Sequence, residues 1–458
     1  MTRQITMDRT LAALLEDKKY TSIRDVLITM NPADIAAVFE EMDQRQLSLM
    51  YRLLPKELAA ETFVEMDPEN QQQLIRSFSD SELREVLEEL YVDDTVDLIE
   101  EMPANVVERI LAQSTPQMRK DINNLLNYPE NSAGSIMTTE YVSLRPEMTV
   151  GEAILRIRRT GVDKETIYTC YVTKKNQLLG YVTAKDLLLA QDEDETMESI
   201  METNVISVNT HTDQEEVVQT LSKYDLLALP VVDTENRMVG IVTFDDVLDV
   251  MEEEVSEDIA IMGGVTPSDK AYLRSTPFDL FKHRVPWLML LMISATFTGI
   301  IITKFENALA AQVALAAFIP MLMDTGGNSG SQASVTIIRA LTLGEIEFRD
   351  LPRVIWKEIR TAVLCGVALA AVCFAKIILI DRMLLNNPDV TVTVAAAVCV
   401  TIALTVLIAK IVGCTLPIAA KQLGFDPAVM ASPFITTVVD ALSLLVYFAI
   451  AGAIVFPH

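Results

Sequence analysis

Soft metal ligands and clustered positive charge are both scarce in this chain. It holds three His and five Cys in 458 residues. Cys170, Cys365, Cys373, Cys399 and Cys414 form no CxxC pair, and four of them fall in apolar stretches, where Cys serves as a small packing residue. These absences argue against a zinc enzyme. No catalytic triad, activated nucleophile or nucleotide-hydrolysis motif is visible, so neither an enzyme nor a primary pump is expected. Residues 1–270 contain 24 Lys and Arg against 53 Asp and Glu, which excludes nucleic acid as a partner, because phosphate contacts need clustered cations. The opening residues, with Arg3, Asp8 and Arg9, lack the apolar core of a signal peptide, so the front of the chain is expected to stay in the cytosol.

What is present is lopsided. Residues 271–458 hold 11 Asp and Glu against 13 Lys and Arg, so the net charge of −27 resides in the front portion. The apolar content of 50% is ordinary for a soluble protein, but its concentration in the last part of the chain reads as a membrane portion. A strongly acidic soluble portion joined to a multi-span membrane portion points to cations, both as what is moved and as what is sensed.

Residues 1–130 read as an all-α superhelical domain. A repeat recurs every 36 residues, at Met30-Asn31-Pro32, Met66-Asp67-Pro68 and Met102-Pro103. Asn31, Asp67 and Ser79 stand where helix N-caps are expected, with prolines near helix starts. Stacked helix pairs would bury the aligned apolar positions, such as Leu47 with Leu83 and Phe63 with Ile99.

Residues 131–250 change character to short strand-like runs, and a second repeat appears. Ser135-Ile136-Met137-Thr138 matches Ser199-Ile200-Met201-Glu202, and Gly180-Tyr181-Val182-Thr183 matches Gly240-Ile241-Val242-Thr243. This resembles a tandem CBS pair of α/β type, with copies near 137–197 and 201–250. Such pairs regulate an attached activity and often carry an adenine nucleotide in the cleft between copies; no residue set here decides that. Residues 251–280 continue an acidic run as an amphipathic linker helix.

Five spans are expected in residues 281–458, near 286–303, 313–340, 357–380, 390–419 and 427–455, each long enough to cross about 30 Å of hydrocarbon. The connection after the second carries Arg339, Arg349, Arg353, Lys357 and Arg360; the next carries Arg382 with Asp381 and Asp389. The positive-inside rule then puts the N-terminal domains in the cytosol and His458 outside.

Two polar features interrupt the spans. The second carries Pro320, Gly326, Gly327, Asn328, Gly330 and Gln332, groups costly in lipid unless protein or water satisfies them. A kinked, pore-lining segment is the functional reading. Close helix packing through small residues is the alternative, though it requires neither Asn328 nor Gln332. The fifth carries Asp440 among apolar neighbours, an ionisable group whose insertion costs at least ~2.5 kcal/mol. A structural pair with Lys410 is the alternative. A carboxylate beside hydroxyls and amides is oxygen-only chemistry, suited to a hard cation such as hydrated Mg²⁺.

With these motifs in place, the chain resembles the MgtE magnesium channels over essentially its whole length. The resemblance rests on Pro320 through Gln332 and on Phe425-Asp426-Pro427-Ala428 through Asp440. It implies a homodimer in the cell (inner) membrane with a pore on its two-fold axis, Asp440 as the pore carboxylate and Ser432 near the pore mouth. It also implies sensing of cytosolic Mg²⁺ by Glu61, Asp93 and Asp97 in the N-domain, Asp213, Glu215, Asp225, Asp246 and Asp249 in the CBS pair, and Glu254, Glu257 and Asp258 on the linker or plug helix. Ser331 and Ser432 stand where some members have Asn, and Asp324 where at least one has Gly. The expectation is a Mg²⁺-selective channel gated shut by cytosolic Mg²⁺. Its rivals are a secondary divalent-cation transporter and a CBS-regulated membrane sensor that does not conduct.

Overall fold

The structure is a computed structural model that describes residues 11, 14–15, 17–40, 42–268, 272–273, 275–385 and 390–454. Asp389, His458 and the opening residues used above for orientation and targeting lie outside that set. The chain divides into two units, Met1–Val250 and Met251–His458.

The first unit opens with short helices: α1 (Tyr20–Leu27), α2 (Pro32–Glu40), α3 (Gln44–Tyr51), α4 (Lys56–Val64), α5 (Pro68–Ser77), α6 (Asp80–Leu87), α7 (Val92–Glu100), α8 (Ala104–Gln113) and α9 (Pro116–Leu125). The 36-residue repeat is the repeat of α2, α5 and α8. Each begins at or just after its proline, where the missing amide hydrogen costs nothing. Asp67 accepts from the Asn70 amide, and Ser79 forms a reciprocal capping box with Glu82. Leu47, Leu74, Leu83 and Phe63 are buried in one core, as the repeat requires.

Two three-stranded sheets follow. In the first, β1 (Ser143–Leu144) runs parallel to β2 (Thr169–Lys174), which pairs antiparallel with β3 (Gln177–Thr183). In the second, β4 (Val208–Asn209), β5 (Ala228–Val232) and β6 (Met238–Thr243) repeat that topology. Helices fill the gaps: α10 (Val150–Thr160), α11 (Ala184–Leu189), α12 (Met197–Ile200) and α13 (Gln214–Tyr224). The repeated motifs have a common physical cause. Thr138 exchanges two backbone hydrogen bonds with Ile241, and Glu202 exchanges two with Tyr181, so each copy's opening segment is stitched onto the other copy's last strand. The close approach requires Gly180 and Gly240: a Cβ on Gly240 would lie 2.6 Å from Thr138 O, and one on Gly180 2.7 Å from Glu202 O. The two ends of the motif recur together because they touch crosswise. α14 (Phe244–Met262) leaves β6 as one uninterrupted helix of 19 residues, longer at its front than the expected linker.

The second unit holds α15 (Pro277–Lys304), the short α16 (Glu306–Ala311), α17 (Ile319–Thr342), α18 (Leu351–Lys376), continued by a wider-wound turn over Ile377–Leu384, then α19 (Val392–Gln422) and α20 (Ser432–Ile454). Among the described residues, four segments are long and apolar enough to cross a membrane: Pro277–Lys304, Phe348–Leu384, Val392–Gln422 and Pro427–Ile454. The expected second span is not among them. It corresponds to α17, which at 24 residues is long enough, but its Asp324, Asn328 and Gln332 lower its apolarity. The expected kink is corrected too. Pro320 sits in the first turn of α17, where it displaces no helical hydrogen bond, and the glycines lie within continuous helix. α17, α18, α19 and α20 share the core of this unit, and Tyr447 fixes the bundle by donating to Leu315 O at 2.9 Å.

Candidate functional site

Within the second unit, α17 packs its small residues against α19 and α20. A Cβ on Gly326 would lie 2.7 Å from Thr405 Cγ2 and 2.8 Å from Ser443 Oγ; one on Gly327 would lie 2.8 Å from Thr436 Cγ2, and one on Gly330 2.8 Å from Ile435 Cγ2. The glycines therefore act as close-packing positions. The opposite face of α17 is polar and open: Pro320, Asp324, Asn328 and Gln332, spaced four apart, are all exposed. Asn328 Nδ2 donates to Asp324 Oδ1 at 2.9 Å. Ser432 opens α20.

Asp440 lies two turns into α20. Its Oδ1 is buried without a hydrogen-bond partner, as are the hydroxyls of Thr405 and Ser443. Lys410 is not its counter-ion: Lys410 Nζ lies 3.6 Å from Glu358 Oε2 on α18, and both side chains are buried. The charge that bears on Asp440 is that of Asp324.

A second gathering of carboxylates occupies the first unit. Asp93 and Asp94 on α7, Glu165 in the first CBS copy and Asp246 at the start of α14 lie within electrostatic reach of one another. Burial, then the charges of Asp246, Asp94 and Glu165, holds the Asp93 carboxyl well above the ordinary range. Burial followed by Asp246 pushes Asp94 up to about 6 and Glu165 up to about 8. Asp93 Oδ1 and Glu165 Oε2 are buried without hydrogen-bond partners. The Glu165 amide donates to Glu140 O at 3.0 Å, which brings Glu140 to the same edge. Asp246 accepts from the Thr243 hydroxyl. Asp97, one turn on, reaches the surface, yet burial and then the charges of Asp246 and Asp94 push it up to about 7.

Of the other candidates, Asp249 adds its charge to Asp246. Asp213 is the N-cap of α13, accepting from the Glu215 amide at 2.9 Å, and Asp225 ends the same helix at φ 51°. Glu61 is exposed on α4, and Asp249 is exposed on α14. Further along α14, in the second unit, burial and then Asp426 raise Asp258 to about 6, with Glu254 and Glu257 adding to the effect. Glu140, Glu165, Asp94 and Asp426 are the residues missed from sequence; each belongs to its group only through tertiary contact. Among the described residues no three His, Cys, Asp or Glu side chains converge closely enough to hold a metal ion directly.

A cleft of about 880 Å³ opens in the first unit beside the end of α9, lined by Tyr128, Tyr141, Asn176, Arg156 and Lys164 among others.

A helical domain, a tandem CBS pair and a helical bundle with a carboxylate among apolar helices point to a membrane transport protein. The comparisons agree segment by segment: residues 30–131 match the MgtE intracellular N domain, 133–193 and 197–253 match CBS domains, and 319–450 match MgtE, a divalent cation transporter. The magnesium transporter MgtE of Thermus thermophilus is 38% identical over 96% of this chain and 97% of its own length. That of Bacillus subtilis is 34% identical, covering 96% of each. The crystal structure of the cytosolic domain of the Mg²⁺ channel MgtE in complex with ATP is 39% identical, with a TM-score of 0.51 over 53% of this chain and 99% of that one. The chain belongs to the MgtE family of magnesium transporters, and it is a membrane transport protein, not an enzyme.

Proposed function

We propose that the protein is a Mg²⁺ channel that closes when cytosolic Mg²⁺ is abundant. The observation that carries permeation is Asp440: a carboxylate on an apolar helix, with a buried unpartnered oxygen and no cationic neighbour among the described residues. Mg²⁺ keeps most of its waters, so one or two carboxylates reaching it through those waters suffice. The exposed polar stripe of α17 cannot face lipid tails at low cost, which supports α17 as a fifth span and a second copy of the chain across a shared aqueous path. Ser432, Asn328 and Gln332 would line that path. The domains of the first unit would then lie in the cytosol of the cell, and the C-terminus outside.

Closure would work by cation bridging. Asp93, Asp94, Asp97, Glu165 and Asp246 repel one another when Mg²⁺ is scarce. Hydrated Mg²⁺ relieves that repulsion without direct chelation, which suits carboxylates that are neighbours but not a coordination shell. Asp258 with Asp426, Glu254 and Glu257 would form a second such group. α14 carries both Asp246 and Asp258, so the two groups can act on one element. Several weak sites together would supply the differential binding of ~5.5 kcal/mol that swings an equilibrium from 1:99 to 99:1. Glu61, Asp213, Glu215, Asp225 and Asp249 would add to the acidic field. An adenine nucleotide would suit the cleft beside Arg156 and Lys164, cations for its phosphates.

The test is electrophysiology on the full chain in lipid bilayers. Unitary current steps that close as cytosolic Mg²⁺ rises are expected, and Asp440→Asn should abolish them. Uptake without unitary steps would favour a secondary transporter, and no uptake a sensor.

A further inference from the structure

The packing register of α17 on α20 brings two carboxylates to one place. Gly330 meets Ile435, Gly327 meets Thr436, and Gly326 meets Val439 and Ser443, so the helices run antiparallel. One turn before Gly327 on α17 is Asp324. One turn beyond Thr436 on α20 is Asp440. The charge of Asp324 indeed acts on Asp440. Cations in the same bundle are engaged elsewhere, Lys410 with Glu358 and Lys376 with Asp381.

Two buried hydroxyls stand nearby, among apolar contacts. Thr405 and Ser443 are 1% and 2% exposed, their hydroxyls have no hydrogen-bond partner, and both side chains converge on Gly326, two residues from Asp324. Asn328 holds one oxygen of Asp324 from the next turn of the helix. Two like charges held together repel, and most strongly on the side of Asp440 that the apolar helices close off from water. A cation shared between them removes that cost.

We propose that Asp324 is a second carboxylate of the cation site at Asp440, so that each chain presents a carboxylate pair, positioned by Asn328 and backed by the hydroxyls of Thr405 and Ser443. This rests on the permeation role assigned to Asp440. Asp440 sits between the helices and sets whether a divalent cation passes. Asp324, on the open face of α17, sets how tightly it is captured.

The experiment is Mg²⁺ uptake by the full chain in liposomes, read with an entrapped Mg²⁺ dye across an external Mg²⁺ series. Asp324→Asn, isosteric and at an exposed position, should raise the half-saturating Mg²⁺ concentration about tenfold, because affinity for a hard cation follows ligand charge count, while uptake at saturation holds within about twofold. Asp324→Glu should restore affinity. Should the Asn variant fail to fold, Asp324→Ser carries the same expectation. A wild-type half-saturation in the folded variant, alongside lost uptake in Asp440→Asn, would overturn the pair and leave Asp440 acting alone. Wild-type uptake by Asp440→Asn would instead remove the permeation role and this proposal with it.

Discussion

The two units of this chain each hold carboxylates without counter-ions, by opposite means. In the first unit the carboxylates are many, and burial followed by one another's charges raises the proton affinity of Asp93, Asp94 and Glu165. In the second they are few: Asp440 stands among the apolar residues of α20, and Asp324 lies on the exposed polar face of α17. The first arrangement is soft, because it has many members and each can be lost singly. The second is hard, because close-packed glycines fix its register.

The largest effects should follow from breaking that register. A Cβ on Gly413 of α19 would lie 2.4 Å from Gly330 O and 3.2 Å from Ala333 Cβ, and neither backbone can yield without separating α17 from α19. Gly413→Val should cost at least about 3 kcal/mol, at or beyond the upper end of overpacking penalties, and leave little folded protein in detergent by size-exclusion chromatography. Gly299 on α15 has nothing within 4 Å of its Cβ position. Gly299→Val should fold and melt like the parent. Equal behaviour of the two variants would mean that α17 does not pack as described.

The soft arrangement should respond to pH and Mg²⁺ where the hard one does not. Asp94 and Glu165 are raised to about 6 and about 8 in the folded unit, against an ordinary value of about 4. The folded state therefore holds more protons than the unfolded one across that window. Stability from these groups is complete below about pH 4 and is lost as pH climbs through about 8. Without divalent cations, hydrogen-exchange protection of α7, corrected for intrinsic rates, should fall over this range in the full chain. Millimolar Mg²⁺ should restore it at the upper end and change little at the lower. Asp93→Asn with Glu165→Gln should flatten the profile and weaken the Mg²⁺ response. A profile unchanged by those substitutions would show that the carboxylates are ordinary solvated charges.

Sequence carried those parts of the fold that local chemistry dictates. Pro32, Pro68 and Pro103 marked helix starts because an amide is dispensable there, and Asp67 and Ser79 were legible as caps. The CBS repeat was legible because two short motifs meet crosswise and so must recur together. Asp440 stood out because nothing near it in sequence is charged. The failures share a cause: they depend on partners distant in the chain. Whether Pro320 kinks a helix depends on where the helix starts, and it starts one residue earlier. The partner of Lys410 proved to be Glu358, and Glu165 joins Asp93 only through the packing of two domains.

The smallest prediction separates a cap from a ligand at Asp213. Family resemblance nominates it as a Mg²⁺ ligand, while its Oδ1 accepts the Glu215 amide as N-cap of α13. Asn caps a helix about as well as Asp but carries no charge, whereas Ala does neither. If capping dominates, Asp213→Ala should destabilise the CBS pair by about 1 kcal/mol and Asp213→Asn by only a few tenths, with both closing at nearly the wild-type Mg²⁺ concentration. If the charge matters for sensing, the two variants should shift the Mg²⁺ midpoint of closure alike, whatever they do to stability. Capping is the expected answer, because Asp213 is exposed and is not among the charges that raise Asp93, Asp94 or Glu165, and an exposed charge is screened within about 10 Å at ordinary salt. A common shift of the midpoint in both variants would return Asp213 to the sensor.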